Sequence, residues 1–124
     1  MGKYSDITSI MAPSSAAAGS TVNVEVRIKN LCSYAINLTA TKGRANDEIL
    51  RFGSVQKVVG AGQTASWSDS FIMPDDYVTV SMESWYEGVS GTWHNDDYAE
   101  KDVDLSSVPA SEFGSIAIIS YERR

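Results

Sequence analysis

Residues 19–30 read GSTVNVEVRIKN. Val22, Val24, Val26 and Ile28 alternate strictly with Asn23, Glu25, Arg27 and Lys29. Successive side chains of a strand point to opposite faces, so this period of two gathers the β-branched residues on one side and the polar ones on the other. A helix would scatter the same apolar residues around its circumference. A strand with one apolar and one polar face belongs to an antiparallel sheet that covers a core on one side and meets water on the other.

The same alternation recurs on both sides of this stretch. Residues 34–41 carry Ile36, Leu38 and Ala40 on one parity, and residues 77–86 set Val78, Val80 and Met82 against Tyr77, Thr79, Ser81 and Glu83. Residues 64–73 place Ala65, Trp67, Phe71 and Met73 on one face. Asp69 is the misfit there, expected to mark a bulge or a strand end. Pro74 stops that strand, because it cannot donate to a ladder. Shorter strands are predicted at 4–11, with Ile7 and Ile10 as its apolar residues, at 48–52 and at 54–59. Residues 12–19 (APSSAAAG) and 42–47 (KGRAND) read as loops. Gly60-Ala61-Gly62 reads as a tight turn and Gly88 to Gly91 (GVSG) as a hairpin, with the chain returning from Trp93 to Leu105. A two-residue turn at Val89-Ser90 pairs Tyr86 with Trp93 and Trp85 with His94, which faces Tyr86 inward and Trp85 outward. Lys101 falls on the inward parity of Val103 and Leu105, predicting either a snorkelling stem or a bulge.

These signals predict an all-β fold, an immunoglobulin-like antiparallel β-sandwich of seven or eight strands with a C-terminal strand or arm. The sandwich is expected over 1–105, followed by a linker and arm over 106–124. In the arm, Ile116 and Ile118 lie on one parity and Ala117 and Ile119 on the other, a pattern that expects burial on both faces. Either it returns as an eighth strand of its own domain, or Ile116, Ile118 and Ile119 form an oligomer contact by adding to the edge of a neighbouring subunit.

Composition agrees with strands and turns. Val and Ile number twenty against four Leu, with eighteen Ser and three Pro in 124 residues, enough for one domain with one core. The formal net charge of -6 argues against nucleic acid or an anionic membrane as the main partner. Charge is uneven: residues 1–62 carry seven basic and four acidic side chains, residues 63–124 three and twelve. Cys32 has no second cysteine to pair with and reads as a half-buried filler near a strand end. The chain opens MGKYSDIT without an apolar signal core, and no later run reaches membrane-spanning length. Cytoplasmic synthesis without membrane insertion is the expectation.

Gly19 with the alternating strand ending at Asn30, the Gly60-Ala61-Gly62-Gln63-Thr64 turn, the following strand closed by Pro74, and the strand from Tyr77 to Met82 together resemble a known group. They are similar to the bacterial and archaeal adhesion-type immunoglobulin-like domains called CARDB. The likeness spans Gly19 to Leu105, with His94-Asn95-Asp96-Asp97 as the counterpart of the acidic, Asn-rich segment before the last strand. Residues 106–124 have no match in it. Similar modules decorate phage capsids and tails. The resemblance implies a binding or structural role rather than catalysis.

Chemistry in the residues themselves is sparse. Nucleophilic catalysis needs a nucleophile, a base and an orienting group. The one histidine, His94, sits in a hairpin limb, and no serine lies in a nucleophile-elbow sequence. The acidic pairs Asp47-Glu48, Asp75-Asp76 and Asp96-Asp97 read as turn residues, since neighbours on a strand diverge to opposite faces. Calcium is the one metal with candidate ligands, Asn95, Asp96 and Asp97, but without the spacing of a calcium loop. No cofactor or metal is therefore expected. The aromatic residues Trp85, Trp93 and Tyr98 are the candidate binding residues, suited to stacking on a sugar ring or anchoring an interface. The expected function is a non-enzymatic structural or interaction module of a virion or extracellular surface assembly, with protein partners or a homo-oligomer. The alternative is a carbohydrate-binding module using the 85–98 hairpin.

Overall fold

A computed structural model describes residues 2–46, 48–50 and 56–106. Its strands are β1 (Ser5–Met11), β2 (Ser15–Ala16), β3 (Thr21–Asn30), β4 (Ile36–Ala45), β5 (Glu48–Leu50), β6 (Gln56–Val59), β7 (Thr64–Ile72), β8 (Val78–Glu87) and β9 (Trp93–Leu105). One sheet has the order β1-β3-β7; the other runs β2-β9-β8-β4-β5, with β6 also paired to β4. The two sheets pack as a sandwich. Their neighbour relations, with β1, β3 and β7 in the places of strands A, B and E and β4, β8 and β9 in those of C, F and G, are those of an immunoglobulin-like fold. The Ile116–Ile119 arm lies outside the described residues.

The alternating faces close on one another. Val22, Val24, Val26 and Ile28 of β3 are buried with Trp67 and Phe71 of β7, facing Leu38 and Ala40 of β4, Val78, Val80 and Met82 of β8, and Val103 of β9. In β1 the apolar residues are three apart, which a regular strand would send to opposite faces. A register shift between Ile7 and Ser9 resolves this: Ile7 stands against Ile28 and Ile10 against Val26, both inward.

Two stretches that read as loops are partly strand. Residues 42–45 continue β4, with a register shift between Thr41 and Arg44, and β4 turns tightly back into β5. Asn46 makes that turn in the left-handed region, φ 53°, where asparagine is one of the few tolerated side chains. Its amide group holds the turn against β8, donating to Tyr77 O and accepting from the Thr79 amide. Within APSSAAAG, Ser15 and Ala16 pair in parallel with Asp104 and Leu105, a contact set by tertiary packing and without local signal.

Asp69 marks neither a bulge nor an end, for β3 and β7 pair without interruption from Thr21–Ile72 to Lys29–Thr64. Among the described residues β7 is an edge strand. The ends of its ladder, Met73 N–H to Ser20 O and Asn30 N–H to Gln63 O, place the odd-numbered groups of this strand on β3 and turn the even-numbered ones outward. Asp69 Oδ1 accepts the outward Ser70 amide at 2.7 Å, and Lys57 Nζ donates to the outward Ser66 carbonyl. A charge on the inward parity and a lysine across the backbone are both ways of blocking an edge against a further strand. Changing both residues to valine is expected to make the protein aggregate at lower temperature than wild type on warming, read by static light scattering; an unchanged onset would show that the edge is guarded by something else. At Lys101 the β8–β9 register is continuous, Val80 standing opposite it, and the half-buried side chain keeps its inward parity as a snorkelling stem.

Candidate functional site

The β8–β9 hairpin carries the residues with recognition chemistry, and two single-residue insertions decide where they point. The first is Gly91. The Gly91 amide donates to Gly88 O at 3.0 Å and the Gly88 amide to Thr92 O at 2.8 Å, with Gly91 at φ 81°. This is a turn over Val89-Ser90 followed by a left-handed glycine, so the loop holds three residues rather than two. Pairing therefore slips by one: Tyr86 stands opposite His94 and Glu87 opposite Trp93, correcting the Tyr86–Trp93 and Trp85–His94 pairs that the two-residue turn implies. The slip moves Trp93 from the inward face to the outward face of Trp85.

The second insertion is Asp96. Ser84 pairs with Asp97 but Trp85 with Asn95, leaving Asp96 as the extra residue of a bulge. Beyond it the parity reverses, so Asp97 is buried and Tyr98 is turned out with 57% of its surface exposed. Trp85, Trp93 and Tyr98 consequently share the outer face of the larger sheet. Glu83 Oε1 accepts from the Trp85 indole at 2.9 Å and from Asn95 Nδ2 at 3.3 Å, and the Tyr98 hydroxyl donates to Glu100 Oε2 at 2.8 Å. That hydrogen bond, and then burial, raises the Tyr98 phenol above the usual tyrosine range. Asn37 donates to Glu87 beside Trp93. The result is an aromatic strip interleaved with carboxylates and amides.

The bulge also overturns the expectation that Asp96 and Asp97 diverge. Both carboxylates turn to β1. Asp96 accepts from the amides of Lys3 (2.9 Å), Tyr4 (3.1 Å) and Ser5 (2.6 Å) and from the Ser5 hydroxyl. Asp97 Oδ2 accepts the Ile7 amide at 2.8 Å. Asn95 points instead to Glu83 on the opposite face, so the three candidate calcium ligands do not converge. Among the described residues no group of three or more His, Cys, Asp or Glu side chains is placed to hold a metal ion. The acidic pair is a clasp between the sheets.

Sequence reasoning missed a second feature. At the hairpin end of the sandwich, Tyr4, Cys32 and Tyr34 meet Tyr86, Glu87 and His94 around an open cleft of about 260 Å³. The Tyr4 and Tyr86 ring centres are 4.7 Å apart and those of Tyr86 and His94 5.3 Å. Lys3 Nζ lies 5.4 Å from the Tyr4 ring centre. Cys32, by charge and then by hydrogen bonding, holds the Tyr34 phenol above its usual range; burial does the same to Tyr86. Three separate segments supply these residues, so no local pattern announces the cleft. A larger but shallower depression of about 600 Å³ on the outside of the smaller sheet is lined by Asn23, Glu25, Ser68 and Ser70 and has no aromatic group. No family model matches the chain, and no curated protein is significantly similar to it in sequence.

Proposed function

We propose that this chain is a non-enzymatic structural and interaction module, a CARDB-like sandwich acting in a virion, as a capsid-decoration or tail protein, or in another surface assembly. The observation that carries the reading is the strip of Trp85, Trp93 and Tyr98 on one sheet face. Buried Trp and Tyr anchors dominate protein interfaces because each removes a large apolar area from water at low side-chain entropy. The flanking Glu83, Glu87 and Glu100 favour a basic partner over a second copy, whose like charges would be brought against them. Binding to capsid and tail particles, purified from the source in which the chain is made, tests this by co-sedimentation. Wild type is expected to co-sediment, and Trp85→Ala to weaken binding by about 2 kcal/mol, roughly 30-fold. A wild-type chain that stays monomeric and leaves every particle untouched overturns it.

The same strip favours one alternative, a carbohydrate-binding module. Rings beside carboxylates and amides suit a sugar, whose apolar face stacks while its hydroxyls find acceptors and donors. A glycan array separates the readings: a Trp85- and Tyr98-dependent glycan signal without particle binding selects the sugar.

A further inference from the structure

The outer face of the larger sheet continues past the aromatic strip. Beyond the bulge, Ala99, Lys101 and Val103 of β9 stand opposite the inward residues Met82, Val80 and Val78. Tyr98, Glu100, Asp102 and Asp104 therefore share the outer face, and three exposed carboxylates follow the tyrosine in a row. Glu83 and Glu87 lie on the same face of β8. The hydrogen bonds to these groups come from neutral donors. The Tyr98 hydroxyl reaches Glu100 and the Thr79 hydroxyl reaches Asp102, both at 2.8 Å, while Asn95 serves Glu83 and Asn37 serves Glu87. Such bonds leave the negative charge in place. Among the described residues the ion pair present is Arg27 with Glu25, on the smaller sheet. Arg44, opposite Ser81, is the described cation on the outer face of the larger sheet, where it meets an excess of carboxylates.

The row also has a repeat. Alternate residues on one face of a strand lie about 7 Å apart. An extended partner segment has the same spacing, so basic side chains at every second position meet Glu100, Asp102 and Asp104 in step. A run of consecutive basic residues would send half of them to the wrong side. Arginine suits the Tyr98 end, because a planar guanidinium stacks on an exposed ring while its N–H groups reach a neighbouring carboxylate. We propose that this face docks an extended segment of a partner protein with basic side chains at alternate positions, lying along β9 with one arginine over the Tyr98 ring. The inference deepens the interface reading above and rests on it for the choice of face.

A synthetic peptide of four Arg-Ser repeats is the probe, titrated into the full chain with backbone amide signals followed by NMR. It is expected to shift the amides of residues 98–104 saturably. A peptide of the same composition with its arginines consecutive should bind at least about threefold more weakly, and one with citrulline for arginine at least about tenfold. Raising salt from about 50 to about 500 mM should weaken binding about tenfold. The double variant Glu100→Gln with Asp102→Asn keeps the acceptors for Tyr98 and Thr79 and removes two charges, and should lose about five- to tenfold. Asp6→Asn with Glu25→Gln makes the same charge change on the outside of the smaller sheet and should hold affinity within about twofold. Thermal melting checks that both double variants are folded. No saturable shift, equal binding of the citrulline or consecutive-arginine peptide, or equal loss in the two double variants each overturns the proposal. A dimer that forms through this face without peptide shifts overturns it in favour of a second copy. Co-sedimentation with particles without peptide binding overturns this inference alone, whereas peptide binding without co-sedimentation supports it and overturns the virion reading.

Discussion

Asn30→Leu is expected to lower the stability of the fold by about 3–5 kcal/mol, a large part of the roughly 5–15 kcal/mol that holds a domain together. Asn30 ends β3 and is fully buried. Its Nδ2 donates to Tyr34 O at 2.8 Å, Val59 O at 2.9 Å and Gly60 O at 3.2 Å, while its Oδ1 accepts the Cys32 amide at 2.8 Å. Its own backbone completes the junction, donating to Gln63 O and accepting from the Gly62 amide. One side chain thus ties the β3–β4 connection to the β6–β7 turn. Leucine matches the volume and replaces none of these bonds, stranding three carbonyls and one amide where water has poor access. Asn30→Asp should be comparably damaging, because it keeps the acceptor but sets a carboxylate against three carbonyl oxygens. Urea unfolding reads the effect as a lower midpoint at unchanged slope. A loss below about 1 kcal/mol would mean that water replaces the amide.

Asp96→Ala should lower stability by about 2–3 kcal/mol, with a fall in melting temperature near 10 °C. Hydrogen bonds to a charged acceptor are stronger than neutral ones, and Asp96 collects three consecutive amides and a hydroxyl from the start of β1. Those amides are expected to lose protection in hydrogen exchange well before the β3 core does. Asp96→Asn should fall between, since its carbonyl still accepts but without charge. The double variant with Asp97→Ala should release β1 as far as Ile7, whose amide rests on Asp97 at 2.8 Å. Unchanged exchange at residues 3–5 in Asp96→Ala would show that β1 is held by its pairing to β3 alone.

Much of the sandwich was legible because its signal is local. The parities of β3 and β8, and of the first half of β4, follow from which residues are β-branched or apolar at every second position, and each of those inward sets is buried as expected. The tight turn at Gly60–Gly62 is equally local, with Gly62 at φ 71°. The three aromatic residues of the candidate strip could be named for their chemistry, but their common face could not be derived. It depends on Gly91 adding one residue to the hairpin loop and Asp96 one to β9, and each addition reverses every side chain beyond it.

Alternation of apolar and polar residues by itself determined that the chain is all-β, where the longer strands lie and which faces of β3, β8 and the first half of β4 seek the core, because burial acts on each strand at the period of its own backbone. Only the tertiary structure decided what depends on neighbours distant in sequence. The residues that read as turn acids, Asp96 and Asp97, became a clasp because β1 brings amides to two carboxylates that lie 91 and 90 residues away in sequence. Asp69 became a guard because β7 lies at an edge, a position no single strand specifies. The tyrosine cleft exists because three segments meet at one end of the sandwich. Such contacts depend on register and on which strands become neighbours, and one inserted residue changes register while leaving the composition of a strand almost untouched.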